Sequence, residues 1–171
     1  MQVKARRGGP PRIGCMATPV QAWHDEHMEF EALLNELRRQ VDIFHAGGRP
    51  DYERMLQVIS TLRERGDRAH HPREDVAFER LAERCPDLAP ELARLKQEHR
   101  IIALAGERLH GLLSAALDEA VLQRAEVEIA AAMYLVYYGN HIAHEEETIL
   151  GRAASALTAE DWEAVRKATA P

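Results

Sequence analysis

Apolar residues recur at intervals of three and four positions through most of the chain. No stretch of useful length alternates apolar and polar residues as a β-strand does. Turn and cap residues divide this helical pattern into four long segments. Thr18 and Pro19 are typical of a helix start, and Gly47-Gly48 marks the first stop. The next segments are predicted from Pro50-Asp51 to Cys85-Pro86, from 87 to 118 and from 123 to 151, with a short helix after Thr158.

The long segments span about 28 to 34 residues and are joined by short links, which is typical of an up-down-up-down bundle. We therefore predict an all-α fold, a four-helix bundle with a short C-terminal helix. A coiled-coil pair and a solenoid are the alternatives, but four segments with short links close a core more naturally. Residues 18–171 form this predicted domain, and residues 1–17 are predicted to be a flexible basic tail in which Met16 is an alternative start.

Each inward-facing apolar stripe is interrupted by polar residues at one level. The first and third stripes contain a single histidine, whereas the second and fourth contain a histidine followed four residues later by a glutamate on the same helix face. The interval between the histidines is 43 residues in the first half and 42 in the second, so the arrangement repeats. In chain order these residues are His27, His70, Glu74, His99, His141 and Glu145.

Six such groups in one core predict a metal centre, because burying an ionised carboxylate without a partner is very unfavourable. Iron accepts imidazole and carboxylate ligands together, and each of two carboxylates can bridge two metals. Any one of these features alone is more often structural, since single core histidines and i,i+4 pairs are common. His24, His45 and His110 are assigned to the solvated surface for that reason.

Charge, apolar runs and cysteine content disfavour several classes of function. The net charge of −6 disfavours a nucleic-acid partner, and the longest apolar run, 129–139, is too short to span a membrane. Cys15 and Cys85 form no disulfide framework, which favours a reducing compartment, with the cytoplasm as the default. No phosphate-binding loop or hydrolytic nucleophile is present, and whether the protein is an enzyme is left open.

Four segments of the chain, DEHMEFEALL, HHPREDVAF, KQEHRIIALAGERL and HIAHEEETIL, resemble the hemerythrin-like HHE cation-binding domains of bacteria. The resemblance covers about residues 18 to 165. It implies a four-helix bundle with two non-haem iron ions joined by an oxo or hydroxo bridge. The pattern of the family falls on the same six positions, which are His27, His70, Glu74, His99, His141 and Glu145.

The chain departs from respiratory hemerythrins at two positions. They have a second histidine one turn after the third-helix histidine, where this chain has Ala103. They also use an aspartate five residues after the fourth-helix histidine, whereas this chain has Glu145 four residues after it. These differences disfavour simple reversible oxygen carriage. They favour relatives that respond to oxygen or nitric oxide, handle iron, or repair oxidatively damaged iron centres.

Several points stay open at this stage. His71 with Asp75 is an alternative register to His70 with Glu74, and Pro72 is predicted to kink the helix there. Tyr134 and Tyr138 are candidates to donate hydrogen bonds or electrons near the site, and Glu31 and Glu98 are candidate partners for imidazole N–H groups. His144 is predicted to point elsewhere.

The predicted small ligand is O2 or NO, and the chain is expected to act as a homodimer or with a partner protein. The alternatives are a metal-binding sensory or structural helical module that acts through a partner, and a metal-free interaction protein.

Overall fold

The computed structural model describes residues 18–168, which form helices joined by short connections, with no strand among them. The predicted all-α class is therefore confirmed. The predicted tail, with Cys15 and Met16, and the last three residues lie outside the described range. No helix among residues 18–168 has both the length and the apolar character needed to cross a membrane. The α-helices are α1 (Pro19–His45), α2 (Tyr52–Leu62), α3 (His71–Arg84), α4 (Ala89–Leu117), α5 (Arg124–His144), α6 (Leu150–Ala156) and α7 (Ala159–Lys167).

The helix ends lie close to the predicted ones because the cap residues act as expected. The hydroxyl of Thr18 accepts a hydrogen bond from the Gln21 N–H at 3.1 Å, and Gly47 leaves α1 with φ +79°, a conformation that favours glycine. Thr158 and Asp161 form the capping box that opens α7. The fourth segment continues to Ala156, five residues beyond the predicted stop at Gly151.

Two π-helical segments, Arg63–His70 and Glu145–Ile149, connect α2 to α3 and α5 to α6 without an intervening loop. Pro72 explains the first of them, because a proline has no N–H to donate and its ring collides with the carbonyl four residues earlier. The wider π-turn relieves this crowding, and the His71 N–H donates to the carbonyl of Gly66, five residues back. Pro72 is thus accompanied by a local widening of the helix.

The interior consists of two apolar clusters with a polar layer between them. One cluster contains Phe30, Leu62 and Ile102, and the other contains Phe78 and Leu95. α1 packs on α2 and α5, and α4 packs on α2, α3 and α5, so the four long segments enclose both clusters. The polar layer is made by the histidines and glutamates that interrupt the apolar stripes.

Candidate metal centre

The six side chains predicted as ligands are all buried, and the structure brings them together in the polar layer. α1 and α4 each contribute one histidine, while the second and fourth helical segments each contribute a histidine and a glutamate. Every one of them is at most 6% exposed, although four are imidazoles and two are carboxylic acids. They are His27, His70, Glu74, His99, His141 and Glu145.

The two glutamates lie between two groups of histidines. Oε1 of Glu74 is 2.5 Å from Nε2 of His70 and 3.3 Å from Nε2 of His27. Its other oxygen, Oε2, faces the opposite group at 3.2 Å from Nε2 of His99. Each oxygen of Glu74 therefore belongs to a different half of the site.

Glu145 repeats this division from the fourth helical segment. Its Oε2 is 3.1 Å from Nε2 of His27, and its Oε1 is 3.2 Å from Nε2 of His141 and 4.0 Å from Nε2 of His99. Two carboxylates placed in this way can bridge two cations, which agrees with the logic of carboxylate-bridged pairs in helix bundles.

His71 is a seventh member of the site, although the sequence pattern offered it only as an alternative to His70. It is 4% exposed, and its ring stacks on that of His99 with centroids 4.2 Å apart. Its Nε2 is buried and lacks a hydrogen-bond partner among the described residues. One donor atom each from His71, Glu74, His99 and His141 can meet around a single ion, and His27, His70 and Glu74 form a second such group.

His70 and His71 are not mutually exclusive, because the structure directs both rings inward. In a regular α-helix, adjacent residues point about 100° apart. The π-helical segment that ends at His70 changes this phase, so the two rings enter different halves of the site. Asp75 remains partly exposed and is not an inward ligand; its Oδ1 accepts from Nδ1 of His99 at 2.8 Å.

Each histidine directs Nε2 inward and Nδ1 toward a carboxylate at the edge of the layer. For four of them this carboxylate comes from a neighbouring helix and is next in sequence to an inward-facing residue. Each pair joins one helical segment to the next, and the last pair returns to the first segment, so the four pairs form a closed ring. They are Glu26 with His70, Asp75 with His99 at 2.8 Å, Glu98 with His141 at 3.1 Å, and Glu146 with His27 at 2.6 Å. The fifth histidine, His71, has Asp67 at 3.6 Å from Nδ1, within its own segment.

This ring fixes the tautomer of the imidazoles. A carboxylate that accepts from Nδ1–H leaves Nε2 as the nitrogen available to a metal, and such outer partners also hold the ring orientation. Glu98 is confirmed as an imidazole partner. Glu31 is not one: it lines a groove on the outer surface between α1 and α5. His144 also lies outside the layer, where it contacts Glu91 and Arg94.

The electrostatics of the layer favour positive charge. Burial alone lowers the pKa of His27, but Glu145 and Glu74 outweigh it and raise that pKa to about 11. Burial is likewise outweighed at His141, whose pKa rises to about 10 beside Glu145 and Glu98. Burial raises the pKa of Glu74, yet its histidine neighbours hold it well below the ordinary value. Protons and metal cations therefore compete for the same acceptor atoms.

Seven inward-facing nitrogen and oxygen atoms of the layer form no hydrogen bond of acceptable geometry among the described residues, although imidazoles and carboxylates face one another at short range. Unpaired buried polar atoms are rare in folded proteins, and each is unfavourable by about 1–3 kcal/mol. A pair of cations would engage all of these atoms at once, and mixed imidazole and carboxylate donors suit iron. The atoms are Nε2 of His70, His71, His99 and His141, Oε2 of Glu74 and both carboxylate oxygens of Glu145.

A cleft of about 460 Å³ leads from the surface to the half of the site that holds His70. It lies between α1, α3 and α7, and both tryptophans, Trp23 and Trp162, line its wall. Arg73 lies there too and donates to Glu26 at 2.7 Å and 2.9 Å. The cleft thus gives a small molecule a route to one half of the site.

Tyr134 and Tyr138 pack beside the other half, against glycines of opposing helices. A Cβ on Gly66 would lie 2.2 Å from the Tyr138 hydroxyl, and one on Gly106 would lie 3.0 Å from the Tyr134 ring. Both hydroxyls are buried without a hydrogen-bond partner among the described residues, and burial raises both pKa values well above the ordinary range. The glycines are therefore needed for close packing of the rings.

Comparison with known proteins gives one match. The model of the family described as Hemerythrin HHE cation binding domain matches residues 18–153, most of the chain and all seven inward-facing side chains. No curated protein and no solved structure gives a match. The match confirms the resemblance read from the sequence, and α7 lies beyond it.

Proposed function

Because the chain belongs to the hemerythrin family of HHE cation-binding domains, we propose that it holds two non-haem iron ions and binds or reacts with O2 or NO through them. One iron would be held by His27 and His70, and the other by His71, His99 and His141. Glu74 and Glu145 would be shared. Within this proposal the long helical segments form an up-down-up-down four-helix bundle.

The opposed oxygens of Glu74 and Glu145 carry the proposal. A single central ion would draw both oxygens of each carboxylate to one point, whereas here the oxygens of each face different histidines. The three-histidine half offers more donors than the two-histidine half. Binding of an external ligand is therefore expected at the side of His27 and His70.

The cleft supports this assignment, since His70 and Glu74 lie in its wall. Bound iron would supply the electrons and the free coordination position that a diatomic molecule needs. The protein supplies orientation: the indole N–H of Trp23 is 3.1 Å from Nε2 of His27 and donates to it. A metal on that nitrogen would displace this hydrogen bond, which leaves the indole N–H to donate to a molecule in the cleft.

The proposal extends to the ligand and the cellular location. The proposed ligand is a small diatomic molecule, and neither a nucleic acid nor a membrane is proposed as a partner. The free thiol of Cys85 is buried and supports a reducing compartment such as the cytoplasm. The proposed role is a response to oxygen or nitric oxide, in iron handling or in defence against oxidative and nitrosative stress.

The test compares iron-loaded wild-type protein with the Trp23→Phe variant, which keeps an aromatic ring and loses the N–H. We expect the wild-type absorption spectrum to change on addition of O2 or NO. The variant should bind iron equally but release the diatomic faster, as measured by stopped-flow absorption. Trp162→Phe serves as the matched control, because that indole lines the same cleft without donating to His27.

A spectrum that does not respond to either gas would contradict the proposal. Stable iron retention without a gas response would favour the alternative, a metal-binding sensory or structural module that acts through a partner protein. Protein without stoichiometric metal would favour a metal-free helical interaction protein.

A further inference from the structure

A second surface feature lies further along α1 than the cleft, which only the first two turns of that helix line. A groove of about 620 Å³ runs between α1 and α5 on the outside of the molecule. Beside it α5 exposes three apolar side chains, Ile129, Met133 and Val136, at 54%, 43% and 58%. They are spaced four and three residues apart and therefore form one stripe along the helix. A contiguous apolar stripe of this kind is typical of a protein interface.

Two unpaired charges flank the centre of the groove. Glu31 and Arg38 both line it from α1, and neither forms an ion pair with any of residues 18–168. They lie four residues before and three residues after Asn35, which also lines the groove. Opposite charges at nearly equal distances from a centre suit pairing with an identical surface.

The packing of α1 on α5 defines that centre. The two helices are antiparallel: His24 contacts Glu146 at 2.9 Å at one end, and His45 contacts Glu128 at 2.8 Å at the other. Between these two contacts, each step forward along α1 corresponds to a step backward along α5. Asn35, about midway between His24 and His45, therefore lies level with Leu135 and Val136. The midpoint of the two charges thus lies level with Val136, at the C-terminal end of the apolar stripe.

We propose that this groove is the interface of a homodimer in which two copies pack antiparallel across a two-fold axis near Asn35 and Val136. Such an axis brings Arg38 to the partner's Glu31 and Glu31 to the partner's Arg38, while the stripes from both copies of α5 meet between them. A two-fold interface uses the same patch on both subunits, and that requirement is met here. The proposal does not depend on the metal centre.

Sedimentation velocity of the full chain over a wide concentration range tests the interface. We expect wild-type protein to form a dimer and Val136→Glu to be monomeric, with unchanged helical content by circular dichroism. Leu104→Glu is the matched control, since that leucine on α4 is 66% exposed and does not line the groove. It should leave the dimer intact.

Charge reversal tests the pairing. Glu31→Arg or Arg38→Glu alone places like charges together twice, and should raise the dimer dissociation constant about tenfold or more. The double variant Glu31→Arg/Arg38→Glu should restore wild-type affinity, because each reversed charge again meets its opposite. A monomeric wild-type chain, a dimer unaffected by Val136→Glu, or a double variant as weak as the singles would overturn the proposal. A monomeric wild-type chain is also the result expected if the chain's own termini or a different protein occupy the groove instead.

Discussion

Gly66 is expected to be required for close packing beside the metal centre, because a larger residue would collide with the Tyr138 hydroxyl. A Tyr138→Phe substitution removes that hydroxyl and so tests the contact by itself. A Cβ on Gly66 would lie 2.2 Å from the Tyr138 hydroxyl oxygen, about 1.2 Å closer than the 3.4 Å at which ordinary contact begins. Tyr138 is 1% exposed, so its ring has no free space into which to move. Gly66→Ala should therefore overpack the core.

The magnitude follows from two opposing effects. Overpacking a core typically destabilises by about 1–3 kcal/mol, whereas replacing glycine by alanine within a helix stabilises by about 0.5–1 kcal/mol. We expect Gly66→Ala to lower the free energy of unfolding by about 1–2 kcal/mol in total. In a Tyr138→Phe background the nearest atom is Cζ at 3.3 Å, so the same change should be neutral or stabilising.

Urea unfolding of both single variants and the double variant, all at the same metal loading, measures this coupling. Tyr138→Phe alone should be nearly neutral, since the hydroxyl that it removes has no partner among the described residues. Gly111→Ala is the control, because no atom lies within 4 Å of a Cβ there and the substitution should stabilise. Additive effects of the two changes would refute the proposed contact.

Three further predictions concern the site and its cover. The pKa values of His27 and His141, about 11 and about 10 against 6.5 for a free histidine, give stability that is complete below pH 6.5 and is lost as pH rises toward 10. Thermal unfolding of metal-free protein should therefore occur at lower temperature at pH 9 than at pH 7, and an equal or higher temperature would contradict these shifts. Glu98→Gln should weaken metal affinity by about 10- to 100-fold in a competition titration, whereas Glu91→Gln, outside the ring of imidazole partners, should not; equal affinities would remove the orienting role of Glu98. Thr158→Ala should cost about 1 kcal/mol in urea unfolding through loss of the α7 cap, and an unchanged midpoint would show that α7 is held without it.

The apolar stripes could be followed from the sequence because regular helices keep a fixed period. This regularity allowed His27 and His99 to be placed in the core as lone polar residues. The inward orientation of both His70 and His71 could not be predicted, because a π-helical turn changes the period at one point. Gly66 and Pro72, the residues that favour such a turn, were visible in the sequence, but the usual expectation for such a proline is a kink.

The carboxylates that orient the histidines could not be assigned by proximity along the chain. Glu31 is four residues from His27 but faces the outer surface. Glu98 is adjacent to His99 and yet contacts His141 on the next helix. The outer partner of a buried histidine is set by how helices pack side by side, which a pattern within one helix does not contain.

The central claim is that two cations occupy the polar layer, one in each half, with Glu74 and Glu145 shared. Metal analysis of protein purified from iron-replete cells, together with its absorption spectrum, tests this most directly. We predict about two irons per chain for the wild type and about one for His71→Ala, with near-ultraviolet oxo-to-iron absorption in the wild type. One iron or none in the wild type, or an unchanged iron content in His71→Ala, would contradict the account.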